Sequence, residues 1–164
     1  MKILVAGMGN VLRGDDGFGI RVIEELRSNY RVPEEVDIYE AGIGGIGLVQ
    51  ELMNGYGALI VVDAVEKAAA AGTLFVLEPL EHQTAISDEN LHASMVDMHY
   101  ADPSKVLSLA KALNVCPPIV YLVGCQPEYV DEAVEGLRPP VMRAVPQAVK
   151  EVLSLIDELI KVER

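Results

Sequence analysis

The chain has 164 residues, 51% of them hydrophobic, which suffices for one domain with a sizeable buried core. Its 13 Lys and Arg stand against 25 Asp and Glu, and the formal charge of −12 excludes nucleic acid and anionic membrane as partners, since both need clustered positive charge. Two cysteines build no disulfide framework, the apolar start is too short for a signal-peptide core, and no run reaches the roughly 18 apolar residues of a membrane span, so a soluble cytoplasmic protein is expected.

In chain order, the run Lys2–Ala6 predicts a first strand that breaks into Gly7-Met8-Gly9-Asn10 and then Gly14-Asp15-Asp16-Gly17-Phe18-Gly19. A helix from about Gly17 to Asn29 follows, with Ile20, Ile23, Leu26 and Tyr30 on one face. Val36–Glu40 reads as the second strand, and a second helix carries Ile46, Val49 and Met53. Ala58–Asp63 is the third strand, the alanines 68–71 a turn insert, and Thr73–Glu78 the fourth strand. After a long return, Asp102-Pro103 signals a helix start, an acidic cap followed by proline at the first helical position. Its apolar face is Val106, Leu107, Ala110 and Leu113. Ile119–Gly124 predicts the fifth strand, and a last helix from about Pro140 repeats Val141, Val145, Val149, Val152, Ile156 and Leu159 at 3–4 spacing.

Continuous apolar strands alternating with helices predict an α/β three-layer sandwich. The expected sheet is twisted, five-stranded and mostly parallel, with helices on both faces and residues 1–164 forming a single domain. About nine residues separate the third and fourth strands, fewer than the dozen a parallel crossover needs, so the fourth strand is expected antiparallel. In an open α/β sheet the ligand crevice lies at the C-terminal edge where strand order reverses, here between strands one and three. Asp16 follows strand one, Asp63 ends strand three, and His99 in the returning loop precedes the capped helix.

Asp63 closes the run Leu59-Ile60-Val61-Val62, where a lone carboxylate is costly unless paired, hydrogen-bonded or metal-bound. It reads either as a turn cap or as a site residue. Asp15 and Asp16 both precede a helix N-terminus, which favours negative charge, so one of them is expected to cap it. Two carboxylates and an imidazole suit a borderline divalent ion such as nickel or zinc, with positions open for water or substrate. His82 sits in a charged loop and reads as surface; His92, seven residues before His99, is the competing ligand. Cys125 has no evident base or cation to activate it and reads as a small, partly buried residue, Cys116 likewise as inert. Leu12 stands where a dinucleotide fingerprint needs its third glycine, and no Walker lysine is present.

With these residues in view, the sequence resembles the nickel–iron hydrogenase maturation endopeptidases over nearly its whole length. The block from Gly7 to Gly19, Val62-Asp63-Ala64, the histidine block Asp97 to Leu107, Leu122 to Glu128 and Gly136 to Val141 carry the resemblance. It implies an endopeptidase that removes the C-terminal extension of a hydrogenase large-subunit precursor after nickel insertion. It implies Asp16, Asp63 and His99 as metal contacts and Asp16 and Asp63 as catalytic; the attacking water is activated either by a carboxylate, Asp16 first, or by the metal that binds it. The nickel comes with the precursor, zinc or cadmium could substitute, and the protein is expected to act as a monomer. The chain departs from the family at Glu40-Ala41-Gly42-Ile43, where Asp-Gly-Gly-Thr is common, which bears on substrate identity. Two alternatives stay open: a nickel-binding chaperone that docks without cutting, and a metal-dependent hydrolase of a small molecule.

Overall fold

The computed structural model describes residues 1–78, 102–130 and 133–162. Strands β1 (Ile3–Met8), β2 (Val36–Gly42), β3 (Ala58–Ala64), β4 (Leu74–Leu77) and β5 (Ile119–Cys125) form one sheet in the order β2-β1-β3-β5-β4. The β1–β2, β1–β3 and β3–β5 pairs are parallel. Antiparallel β4 pairs with β5, Leu74 opposite Cys125 and Leu77 opposite Leu122. The expected direction of the fourth strand holds, and β5 inserts between it and β3, so the short connection joins strands that are not neighbours.

Helices α1 (Phe18–Asn29) and α4 (Pro139–Val162) cover one face, and α2 (Gly45–Leu52) and α3 (Pro103–Ala112) the other. The period-2 alternation of the strands sorts the core. Ile3, Val5, Ile60, Val62 and Val123 pack on α1 and α4, while Leu4, Ala6, Leu59 and Val61 pack on α2 and α3. The helices present the predicted faces with one systematic difference: Tyr30, Met53 and Leu113 are exposed. Each is the residue just past its helix end, where the backbone leaves the helix and the 3.6 period stops placing side chains inward. Ile46, in the first turn of α2, is exposed as well, and Leu109 takes the core position on α3. Asp102 caps α3 as expected, its Oδ1 accepting the Ser104 N–H at 2.8 Å.

What matters for the site is how closely α1 approaches the sheet. A Cβ on Gly19 would collide with the carbonyl oxygens of Val62 and Met8, and one on Gly7 would meet the Gly19 carbonyl at 2.6 Å. These two glycines let the first turn of α1 sit directly against β1 and β3, and so bring the acids before α1 to the end of β3.

Candidate active site

The segment from Gly9 to Gly17 is built around the Asp16 carboxylate. Asp16 Oδ2 accepts the Asn10 N–H at 2.9 Å, Asn10 Oδ1 accepts the Leu12 N–H at 2.9 Å, and the Arg13 N–H donates to the Asn10 carbonyl at 3.0 Å. Gly9 has φ +121°, a conformation glycine tolerates. A Cβ there would collide with the Asp16 carbonyl and lie 3.6 Å from Asp63 Oδ1. Gly9 is thus wedged between the two aspartates, and the structure brings Asp16 and Asp63 together at the C-terminal edge between β1 and β3.

Asp63 is buried, and its Oδ1 accepts the N–H of Ala64 at 2.8 Å. Burial pushes its carboxyl well above the usual carboxylate range, and the Asp16 charge pushes it further. The Ala64 N–H opposes this rise, whereas the charge of Asp102 pushes the carboxyl up as well. Asp63 shares strand parity with Leu59 and Val61, so it belongs to the α2–α3 layer where Asp102 caps its helix. An anionic cluster that burdens its most buried member is suited to a cation or to holding a proton.

The expectation that one of Asp15 and Asp16 caps α1 is not met. Neither makes a cap hydrogen bond to the helix that follows. Asp15 is fully buried, and its carboxylate accepts three backbone N–H groups from the loop after β5: Glu128 at 2.8 Å and Tyr129 at 3.0 Å on Oδ2, and Arg138 at 2.7 Å on Oδ1. The Gly14 N–H donates to the Val134 carbonyl at 2.7 Å and the Asp15 N–H to that of Tyr129 at 3.1 Å. Asp15 therefore ties both ends of that loop to the segment carrying Asp16.

A second buried strut, which the sequence did not single out, is Gln126. Its Oε1 accepts the N–H groups of Lys67 at 2.7 Å and Ala69 at 3.2 Å, and its Nε2 donates to Glu66 Oε1 at 2.7 Å. It shapes the turn that follows Asp63, and its signals in the sequence are a polar residue directly after an apolar strand and its place in the block Leu122 to Glu128. Cys125 is fully buried rather than partly, and burial together with the Asp15 charge pushes its thiol up to about 12, which removes it as a nucleophile. His99, with His92 and His82, lies outside the described residues. Among the described residues no three His, Cys, Asp or Glu side chains gather closely enough to hold a metal ion. Nor is any described helix long and apolar enough to cross a membrane.

The profile of the hydrogenase maturation protease family, HycI, matches residues 20–155. The chain belongs to the hydrogenase maturation protease family. It is accordingly a hydrolase of the endopeptidase class. Within the family it is 34% identical over 157 residues to a hydrogenase expression/formation protein HoxM of Azotobacter vinelandii, covering 96% of this chain and 73% of that one. It is 32% identical over 159 residues to the hydrogenase 2 maturation protease of Escherichia coli K12, covering 96% and 92%. The structure of the E. coli hydrogenase maturating endopeptidase HybD superimposes with a TM-score of 0.77 at 31% identity, over 96% of this chain and 93% of that one. The predicted architecture is the one these maturation proteases share.

Proposed function

We propose that this protein, as a cytoplasmic monomer, cuts the C-terminal extension from a nickel–iron hydrogenase large-subunit precursor whose nickel is already inserted. The observation that carries this reading is the Asp16–Asp63 pair at the strand switch point, in a chain of the maturation protease family. The donor chemistry fits a divalent cation brought by the substrate: two carboxylates, one buried and burdened by neighbouring negative charge, to which an imidazole would add the preference for a borderline ion such as nickel. His99 is the proposed third contact. Nickel held by the precursor, with zinc or cadmium as substitutes, would polarise the scissile carbonyl.

The chain's own residues then divide the work. Asp63, fixed by the Ala64 N–H, receives the substrate metal, and its charge penalty is relieved on contact. Asp16 Oδ2 is held by the Asn10 N–H, which aims the carboxylate into the crevice as general base. It takes a proton from water, the resulting hydroxide adds to the carbonyl carbon, the C–N bond breaks, and the proton passes to the departing amine. Precursor without its metal offers nothing for Asp63 and His99 to hold, so cleavage reports completed metal insertion.

Cleavage of the cognate precursor, with and without nickel and read by mass, tests this. Loss of the extension only with nickel, abolished by Asp16→Asn, Asp63→Asn or His99→Ala, is expected. Cleavage at wild-type rate by all three variants would refute the site. A precursor left whole under both conditions would refute the activity.

A further inference from the structure

We propose that an apolar lip around the acid pair, formed by Val11 and Leu12 after β1, Ile43 and Ile46 after β2 and Val134 after β5, seats an apolar segment of the precursor beside its scissile bond. This rests on the processing function proposed above. The lip residues are large hydrophobics left in solvent, Leu12 58% and Ile43 50% exposed. They come from three separate connections, Ile46 from the first turn of α2 and the others from loops, and all three connections leave the C-terminal edge of the sheet, where Asp16 and Asp63 meet.

The loops are fixed to one another rather than free to collapse. The Gly9 N–H donates to the Gly42 carbonyl at 2.9 Å, joining the first loop to the second. A bridge between Arg13 and Val134 and the 2.7 Å bond from Gly14 to the Val134 carbonyl join the first to the third. A preformed apolar rim loses little conformational freedom on binding, so burial there translates into affinity. Its occupant is the substrate for two reasons. Whatever covers a rim around the acid pair is presented to those acids. A second copy of this chain would bring another −12 of formal charge against the same edge, which opposes self-association.

Steady-state cleavage of metal-loaded precursor separates this from a merely structural role. The double variant Leu12→Ser, Ile43→Ser should raise KM by about tenfold or more, the loss expected for truncating two interface anchors, and leave kcat within about twofold. Met53→Ser, a hydrophobic of equal 58% exposure at the far end of α2, should behave as wild type. An unchanged KM in the double variant, or an equal rise with Met53→Ser, overturns the lip. So does a wild-type dimer in sedimentation that the double variant converts to monomer. If wild-type protein cuts no precursor, the processing function has failed and the lip falls with it, a result distinct from cleavage with unaltered KM.

Discussion

Gly9 sets the distance between the two aspartates without donating a single ligand atom. With φ +121° and the Asp16 carbonyl where its Cβ would go, Gly9→Ala has to push the Asp16 segment away from Asp63. A shift of about an ångström costs catalysis on the order of 10²-fold. Gly9→Ala should therefore lower kcat/KM on metal-loaded precursor by about that factor, with both carboxylates intact and the circular dichroism unchanged. Asp63 makes a prediction of the opposite kind, in stability. Its folded-state carboxyl titrates above the unfolded value of 3.8. Below that value both states are protonated and nothing is lost; as pH rises the unfolded carboxyl ionises first, the folded one lags, and stability falls until the folded group has ionised too. Asp63→Asn keeps an oxygen to accept the Ala64 N–H and carries no charge. Its melting temperature should exceed that of the wild type by a margin that grows from pH 4.5 to pH 8, each kcal/mol appearing as about 2–4 °C in a domain of this size. Thermal melts with a constant or shrinking margin would contradict the burial of a charge there.

At the scale of elements, the loop after β5 depends on one side chain far away in sequence. The Asp15 carboxylate serves three N–H groups, and Asp15→Asn replaces one acceptor oxygen with a donor, leaving at least one backbone N–H facing another. Each buried group so orphaned costs about 1–3 kcal/mol. Urea unfolding should show at least that loss, and hydrogen exchange should quicken at residues 128, 129 and 138 rather than across the sheet. This clamp was not legible in the sequence because its partners are backbone groups more than a hundred residues downstream, which carry no side-chain signature. The same limit applies to Gln126, whose partners are the backbone of the β3–β4 connection and Glu66. By contrast, the five strands, the Asp102 cap and the antiparallel β4 follow from local patterns: apolar runs, a capping acid before proline, and a connection too short for a crossover. The nearness of Asp16 and Asp63 was legible for a topological reason, since both follow or end strands that the 2-1-3 order places side by side. Tyr30, Met53 and Leu113 were misplaced in the core because periodicity alone does not tell where a helix stops.

Over the whole molecule the acidic excess acts on stability in a manner distinct from the buried Asp63. A formal charge of −12 on 164 residues is self-repulsive in the compact state, and more so than in the expanded unfolded chain. The surface pairs Lys2–Asp37, Arg21–Glu24 and Arg27–Glu40 are each about half exposed, so their attraction is weak and itself screened by salt. Repulsion among many distant charges decays over the Debye length, about 30 Å at 0.01 M salt and about 3 Å at 1 M. Raising sodium chloride from 10 mM to 500 mM at pH 7.5 should therefore raise the melting temperature by several degrees. The Asp63→Asn margin should hardly move over the same range, because its first cause is removal from water rather than distant charge. Differential scanning calorimetry on both proteins across the salt series checks the two statements together. A wild-type melting temperature that falls with salt would mean that paired charges outweigh the repulsion. A margin that disappears with salt would mean that Asp63 feels its neighbours' charge more than its burial.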